Sequence, residues 1–437
     1  SMTVHPVSPR MRRMQWIAIG LATAAIALNY IDRSTLAIGN VTIRQEFGLN
    51  ATAIGALQSF WSLTYACFQI PVGFLLDRLG PRYLVGLALV AWSAAQAAGG
   101  LAGSYTQLMW ARIALGATES PAFPAAVRVT SDWFHVKDRG KPTGVYNSGG
   151  SIGPAIAPPL LTALMLGFGW RTMFITMGVA GLAGSLVWFM VYRDPAKTAL
   201  APQDEAYLAE NRAAEAPVEL RNWGRLFRCR SMWGLMGGAF CSGYAVWMYQ
   251  TWLPAYLEMQ QHISIGKTGF LAMIPLIFSV LGAWAGGWVT DRFARGGMEI
   301  VASRRLPAIL GLLLSGLFTV IATTAGNATE AVIWISAAMF FLSLGIAGKW
   351  TLITAVAPQS YCTSVASIQN FAGYIGGTVS PLVTGMVVDF TGSFVIALAI
   401  GAGITMLGAV ILQLVVRRPI SAEALEGAGA MLVPRRV

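Results

Sequence analysis

Five charged residues, Asp32, Arg33, Arg112, Glu119 and Lys349, sit inside stretches of chain otherwise apolar enough to cross a bilayer. A charge at the centre of a spanning helix costs about 2.5 to 3.5 kcal/mol, so such residues face a bundle interior and mark a route for an ion, a proton or a substrate. Seven residues separate Arg112 from Glu119, almost two turns, which places both on one helix face roughly 10 Å apart along the axis. Burial disfavours the charged form of Glu119 and suits it to take up and release a proton, while a nearby cation opposes that tendency. A planar guanidinium gives paired hydrogen bonds to both oxygens of a carboxylate, a geometry lysine does not copy, so Arg33 and Arg112 suit an organic anion. Tyr30, one turn before Arg33, and Tyr65 offer hydroxyls to substrate oxygens or serve as packed aromatics. Asn147 and Asn370 offer donors and acceptors to a polyhydroxylated ligand, or hydrogen bonds between helices.

The elements that carry these residues follow from composition. Of 437 residues, 55% are hydrophobic and 11% charged, against about 25% charged in ordinary soluble domains. Apolar runs of about 20 residues, the length that crosses a bilayer, recur throughout. The expected fold is all-α integral membrane, with twelve transmembrane helices near 15–38, 52–76, 82–102, 105–131, 141–166, 171–192, 231–256, 267–290, 305–325, 330–354, 361–388 and 393–416. The first is too long and too interrupted by charge for a cleaved signal peptide. Basic residues collect on one side, among them Arg10, Arg12, Arg13, Lys137, Arg139, Lys141, Arg304 and Arg305, whereas Arg44, Arg171 and Lys267 fall on the other. This asymmetry puts both termini in the cytoplasm. The net charge of +11 is then explained by basic loops beside anionic lipid, with no nucleic acid as partner. Cys67, Cys229, Cys241 and Cys362 are scattered without metal-ligand spacing, and His5, His135 and His262 form no cluster with them, so neither a metal nor another cofactor is expected.

Five regions result: a cytoplasmic N-terminal tail (1–14), a six-helix bundle (15–192), a cytoplasmic linker (193–230), a second six-helix bundle (231–416) and a C-terminal tail (417–437). The linker ends in Arg221-Asn222-Trp223-Gly224-Arg225-Leu226-Phe227-Arg228, read either as an amphipathic surface stretch or as a solvated connector. The bundles repeat each other. Gly73, Asp77 and Arg78 recur as Gly287, Asp291 and Arg292, and Asn147, Gly150, Gly153 and Pro158 recur at identical intervals as Asn370, Gly373, Gly376 and Pro381.

The loop Gly73-Phe-Leu-Leu-Asp77-Arg78-Leu-Gly80-Pro-Arg82 resembles the signature loop of the major facilitator superfamily. Asn29-Tyr30-Ile-Asp32-Arg33 and Arg112-Ile-Ala-Leu-Gly116-Ala-Thr-Glu119-Ser-Pro121-Ala-Phe-Pro124 resemble its anion:cation symporter branch, which includes bacterial sugar-acid permeases. The resemblance covers residues 15–416 and implies a secondary active transporter, not an enzyme, in a bacterial inner membrane and functional as a monomer. It assigns anion binding and proton coupling to the positions of Arg33, Arg112, Asp32 and Glu119, and favours substrate binding by Asn370.

On this basis Arg33, Arg112, Tyr30, Tyr65, Asn370 and Lys349 are the expected substrate residues and Asp32 and Glu119 the proton-coupling pair. Asp77, Arg78, Arg82, Asp291 and Arg292 are expected to latch the cytoplasmic gate as the halves rock in alternating access. Asp32 and Arg112 lie at comparable depth, so an ion pair between them is geometrically open, with Arg33 a second cation. Lys349 departs from the family's usual uncharged residue, and is read either as a third cation for a second acidic group or as a locally paired lysine. The expected activity is import of an organic anion, a hexuronate, aldonate or aldarate, by proton symport. Aromatic or dicarboxylic acids, exchange without net proton movement, and a transporter-like membrane sensor are the alternatives.

Overall fold

The computed structural model describes residues 7–134, 138, 140–212, 223–357 and 362–420; His135, Lys137, Arg139, Arg221 and Asn222 lie outside them, as do residues 1–6 and 421–437. The described chain is helical, without strands. Its helices are α1 (Pro9–Phe47), α2 (Ala51–Leu101), α3 (Tyr105–Glu119), α4 (Ala122–Trp133), α5 (Gly140–Val191), α6 (Pro202–Arg212), α7 (Trp223–Leu226), α8 (Arg230–Met259), α9 (Ile265–Arg295), α10 (Ile300–Ala322), α11 (Ala328–Val356), α12 (Cys362–Thr391) and α13 (Phe394–Val415).

Local chemistry sets the ends of these helices. The side chains of Ser8, Asn50, Ser104, Asn327 and Ser393 each accept a hydrogen bond from a first-turn backbone N–H, which satisfies a donor with no intrahelical partner. Gly48 ends α1 in the left-handed region at φ 62°. Two long helices each hold two spans, because one glycine at positive φ breaks the run: Gly80 (φ 74°) ahead of Pro81 in α2 and Gly169 (φ 84°) in α5.

Each apolar segment expected from sequence falls on helical chain, with span 105–131 divided between α3 and α4. Among the described residues, eight helical stretches are long and apolar enough to cross a membrane by length and composition alone. The first arm of α2, the α3–α4 pair and α8 are not among them. These carry the polar and aromatic residues that the interior uses. Large apolar side chains instead face outward, with Phe390 93% and Trp284 71% exposed, a surface suited to lipid.

The chain divides into two compact units. One comprises Ser1–Ala216 with Thr251–Met273, the other Pro217–Gln250 with Ile274–Val437. In the first, glycines bring helices to backbone distance: a Cβ on Gly149 or Gly153 of α5 would lie 2.7 Å from the carbonyl oxygen of Thr23 or Ala27 of α1. At the N-terminal end of α1, Ser8 donates from its backbone N and from Oγ to Asp204 of α6 at 2.9 and 2.6 Å, and the Tyr207 hydroxyl donates to Asp138 at 2.8 Å. The first part of the linker is therefore docked on this unit. In the second unit Gly311 of α10 meets Gly345 of α11, where an added Cβ would lie 2.4 Å from the Gly345 nitrogen.

Candidate functional site

The site begins where α3 stops. Pro121 lacks the N–H that would bond the Ala117 carbonyl, and Ser120 Oγ donates to that carbonyl instead at 2.7 Å. Pro124 likewise leaves the Ser120 carbonyl without its helical donor, and Gln69 Nε2 supplies one at 3.1 Å. Asn29 Nδ2 reaches the Glu119 carbonyl at 3.3 Å. The two prolines thus open the helix at Glu119, and side chains from α1 and α2 close the exposed backbone.

Gly116, one turn earlier, lets α3 lie on α2: an added Cβ would stand 2.3 Å from both the Trp61 carbonyl oxygen and Thr64 Oγ1. That approach aligns two ladders. On α2, Gln58, Trp61, Tyr65 and Gln69 follow the three-and-four spacing of one face. Gln58 Oε1 accepts from Arg112 Nη2 at 2.7 Å, and Trp61 Nε1 donates to Glu119 Oε2 at 2.9 Å.

Arg33 enters from α1 between them. Its Nε lies 3.7 Å from Glu119 Oε2, a charge pair beyond hydrogen-bond length. Its guanidinium carbon stands 4.4 Å from the Tyr30 ring centroid, 4.5 Å from Trp61 and 4.7 Å from Tyr65. Three aromatic faces box one cation. Trp61 and Tyr65 are themselves stacked at 5.2 Å, and a Cβ on Gly150 of α5 would meet the Tyr30 ring at 3.3 Å. Arg33 (5% exposed), Arg112 (1%), Asp32 (0%) and Glu119 (0%) are all buried.

The expected proton and anion residues of the first unit therefore gather around α1, α2 and α3, but their pairing differs from the sequence expectation. Arg112 binds Gln58, not Asp32, and Arg33 is the cation beside Glu119. Arg112 Nε and Nη1 have no hydrogen-bond partner. The carboxylate of Asp32 is approached by the Trp92 indole N–H as donor. Behind Asp32, Thr35 Oγ1 donates to its carbonyl at 2.6 Å and accepts from Gln96 Nε2 at 3.0 Å. Tyr30 and Tyr65 present ring faces to a guanidinium, a role the sequence reading did not give them. Gln58 and Trp61 were not singled out from sequence, although their spacing from Tyr65 was the available signal.

Of the remaining candidates, Asn147 is exposed and Asn370 half-buried. Lys349 of α11 is 5% exposed, and its Nζ donates to Ser242 Oγ of α8 at 2.6 Å. No carboxylate pairs with it among the described residues. At the proposed gate, Arg78, Asp291 and Arg292 are exposed, while the side chain of Asp77 lies outside what the structure describes. Arg82 is engaged within its own unit: it donates to the Tyr192 carbonyl and, at 2.8 Å, to that of Phe189, where α5 ends. Among the described residues no cluster of side chains fits a metal ion.

Comparison with known proteins agrees with this architecture. The family model described as Major Facilitator Superfamily matches residues 22–381, so the chain belongs to that superfamily of membrane transporters and is not an enzyme. It is 41% identical over 416 residues to the probable L-galactonate transporter of Escherichia coli (strain K12), covering 95% of this chain and 92% of that one. Identity to the probable galactarate/D-glucarate transporter GarP of the same strain is 30% over 393 residues, 85% of this chain and 88% of that one. Among solved structures, a bacterial homolog of the human lysosomal transporter Spinster, inward-facing and unoccupied, has a TM-score of 0.73 at 20% identity over 92% of this chain and 95% of that one.

Proposed function

We propose that the protein imports a sugar acid (a hexuronate, aldonate or aldarate) together with protons, by alternating access, across a bacterial inner membrane with both termini cytoplasmic. The observation that carries the reading is the buried guanidinium of Arg112, with Nε and Nη1 unclaimed, in a site whose two arginines already face two carboxylates. Transport of galactonate and galactarate/D-glucarate named for relatives along nearly the whole chain supports the same substrate class.

Coupling follows from charge. Asp32 and Glu119 balance Arg33 and Arg112, so the empty site is neutral when all four are ionised. A carboxylate bound to the arginines adds one negative charge in a low-dielectric interior, where an unbalanced charge is costly. It competes with Glu119 for Arg33, and a proton on the displaced carboxylate restores neutrality. Substrate and proton then cross together. Asp32, fully buried, is the second proton acceptor. A second reading, a dicarboxylic substrate, is favoured by Lys349, a buried cation in the second unit bonded to a neutral hydroxyl.

The test is a thermal-shift panel on purified protein. A ligand that binds the native state raises its apparent stability. Aldonates, aldarates and hexuronates are expected to raise Tm, and the corresponding neutral sugars to leave it unchanged. No shift with any sugar acid, against a clear shift with another carboxylate, would overturn the substrate assignment.

A further inference from the structure

Within the second unit, α13 is long and apolar enough to cross a membrane and ends at Val415, so Arg417 and Arg418 follow at head-group level. The start of α8 packs beside them. A Cβ on Gly234 of α8 would stand 2.5 Å from Val416 Cγ2, and Ser231 Oγ donates to the Arg418 carbonyl at 2.7 Å. Arg230 Nη2 donates to the Leu414 carbonyl at 3.3 Å and Arg305 Nη1 to that of Val416 at 2.8 Å, which fixes the end of α13. Arg228, Arg230, Arg417 and Arg418 are all exposed, and no carboxylate pairs with any of them among the described residues. A guanidinium has five N–H donors, so Arg230 and Arg417 keep most of theirs, although Arg417 Nε reaches the Gln413 carbonyl at 3.5 Å.

Beside these cations the surface is apolar. Trp233 of α8 is 56% exposed, its indole N–H is spent on the Phe227 carbonyl at 2.7 Å, and the two rings meet edge to face at 6.0 Å. An exposed indole whose polar atom is already satisfied suits the boundary between head groups and hydrocarbon. Leu407, Val410 and Leu414 are exposed at the three-and-four spacing of one face, which continues the apolar surface along α13.

We propose that this end of the second unit binds an anionic phospholipid. Arg228 and Arg418 hold the phosphodiester, and an acyl chain lies along Trp233 and the Leu407–Leu414 face. Paired guanidinium N–H groups match phosphate oxygens. Four cations without a carboxylate partner select against a zwitterionic head group, whose ammonium they repel. The bound lipid ties the chain that enters α8 to the chain that leaves α13, whatever acid is carried.

The test is a lipid titration of the purified full chain in neutral detergent. Dioleoylphosphatidylglycerol is expected to raise Tm by several degrees, while dioleoylphosphatidylcholine and inorganic phosphate each leave it unchanged. Arg228→Gln combined with Arg418→Gln should keep the lipid-free Tm of wild type and raise the half-saturating phosphatidylglycerol concentration about tenfold. Trp233→Leu, which keeps an apolar side chain but removes the ring, should weaken the same lipid with both guanidiniums in place. Arg12→Gln combined with Arg13→Gln removes equal charge from exposed positions of α1 and should leave the titration as in wild type. An equal Tm rise with phosphatidylcholine or with inorganic phosphate contradicts the proposal. So does an undiminished response in the Arg228 and Arg418 variant, or an equal loss in the Arg12 and Arg13 variant, which would reduce the effect to diffuse attraction. A lowered lipid-free Tm in the Arg228 and Arg418 variant would make those arginines structural and also contradicts it.

Discussion

Trp61 gives its indole N–H to Glu119 at 2.9 Å while its ring lies 4.5 Å from the guanidinium carbon of Arg33. One side chain therefore holds the anion and the cation of the pair at once. A hydrogen bond to a charged group contributes about 1.5–3 kcal/mol. Trp61→Phe keeps an aromatic face for Arg33 and removes the donor; substrate affinity should change little while uphill uptake falls at least tenfold. Trp61→Ala removes both and should weaken binding too. Counterflow and pH-driven uptake, measured side by side on the two variants, separate these outcomes.

Arg33 is boxed by Tyr30, Trp61 and Tyr65, an arrangement suited to a planar delocalised cation. Arg33→Lys retains the charge but loses the stacking and the paired donors. The expected loss in substrate affinity is tenfold or more, about 1.4 kcal/mol, read from the ligand concentration dependence of the thermal shift.

Gly116 tests the packing beneath the site. An added Cβ stands 2.3 Å from the backbone oxygen of Trp61, where no side-chain rotation relieves the clash. Gly116→Ala should destabilise the protein by roughly 1–3 kcal/mol and abolish transport. Gly20, with nothing near an added Cβ, is the control, and Gly20→Ala should leave both Tm and uptake near wild type.

At the C-terminal end of α1, Glu46 accepts from the Trp170 indole and from Arg171 Nη2, the latter at 2.6 Å, and Arg171 stacks on Trp170 at 4.5 Å. The indole hydrogen bond first, and then the guanidinium, hold the Glu46 carboxyl below its ordinary value of 4.5. A depressed carboxyl stabilises the fold above its unfolded value, and that contribution disappears as pH falls through the folded value. Glu46→Gln should therefore lower Tm at pH 7 and lose its effect at strongly acidic pH. Equal effects at both would refute the assignment. Because the pair is largely exposed, the shift should be small and should shrink with added salt.

Lys349 separates two substrate classes. If its ammonium meets a second acidic group, Lys349→Ala should raise KM for galactarate severalfold and spare galactonate. Unchanged uptake of both would leave Lys349 as a structural partner of Ser242.

The sequence exposes what depends on position along one helix. The apolar segments, the shared face of Arg112 and Glu119, and the glycines that recur between the two bundles all follow from spacing. What it does not expose is rotation between helices. Depth alone matched Asp32 to Arg112, whereas the close approach at Gly116 turns Arg112 towards Gln58 and leaves Arg33 facing Glu119. Tyr30 and Tyr65 invited a reading through their hydroxyls, because residue type advertises the polar atom; the stacking of their rings on Arg33 depends on three helices meeting. Trp61 was hidden for a related reason. A tryptophan in an apolar span reads as packing until a carboxylate is found beside its N–H.

In the proposed coupling, anion binding to the arginines drives protonation of the neighbouring carboxylate Glu119. Proton movement into proteoliposomes on addition of galactonate, with a pH-sensitive dye trapped inside, measures it directly. Wild-type protein is expected to acidify the lumen as galactonate enters, while Glu119→Gln exchanges internal for external galactonate with no acidification and no uphill accumulation. Galactonate entry without a pH change in the wild type, or undiminished acidification by Glu119→Gln, would rule out this coupling.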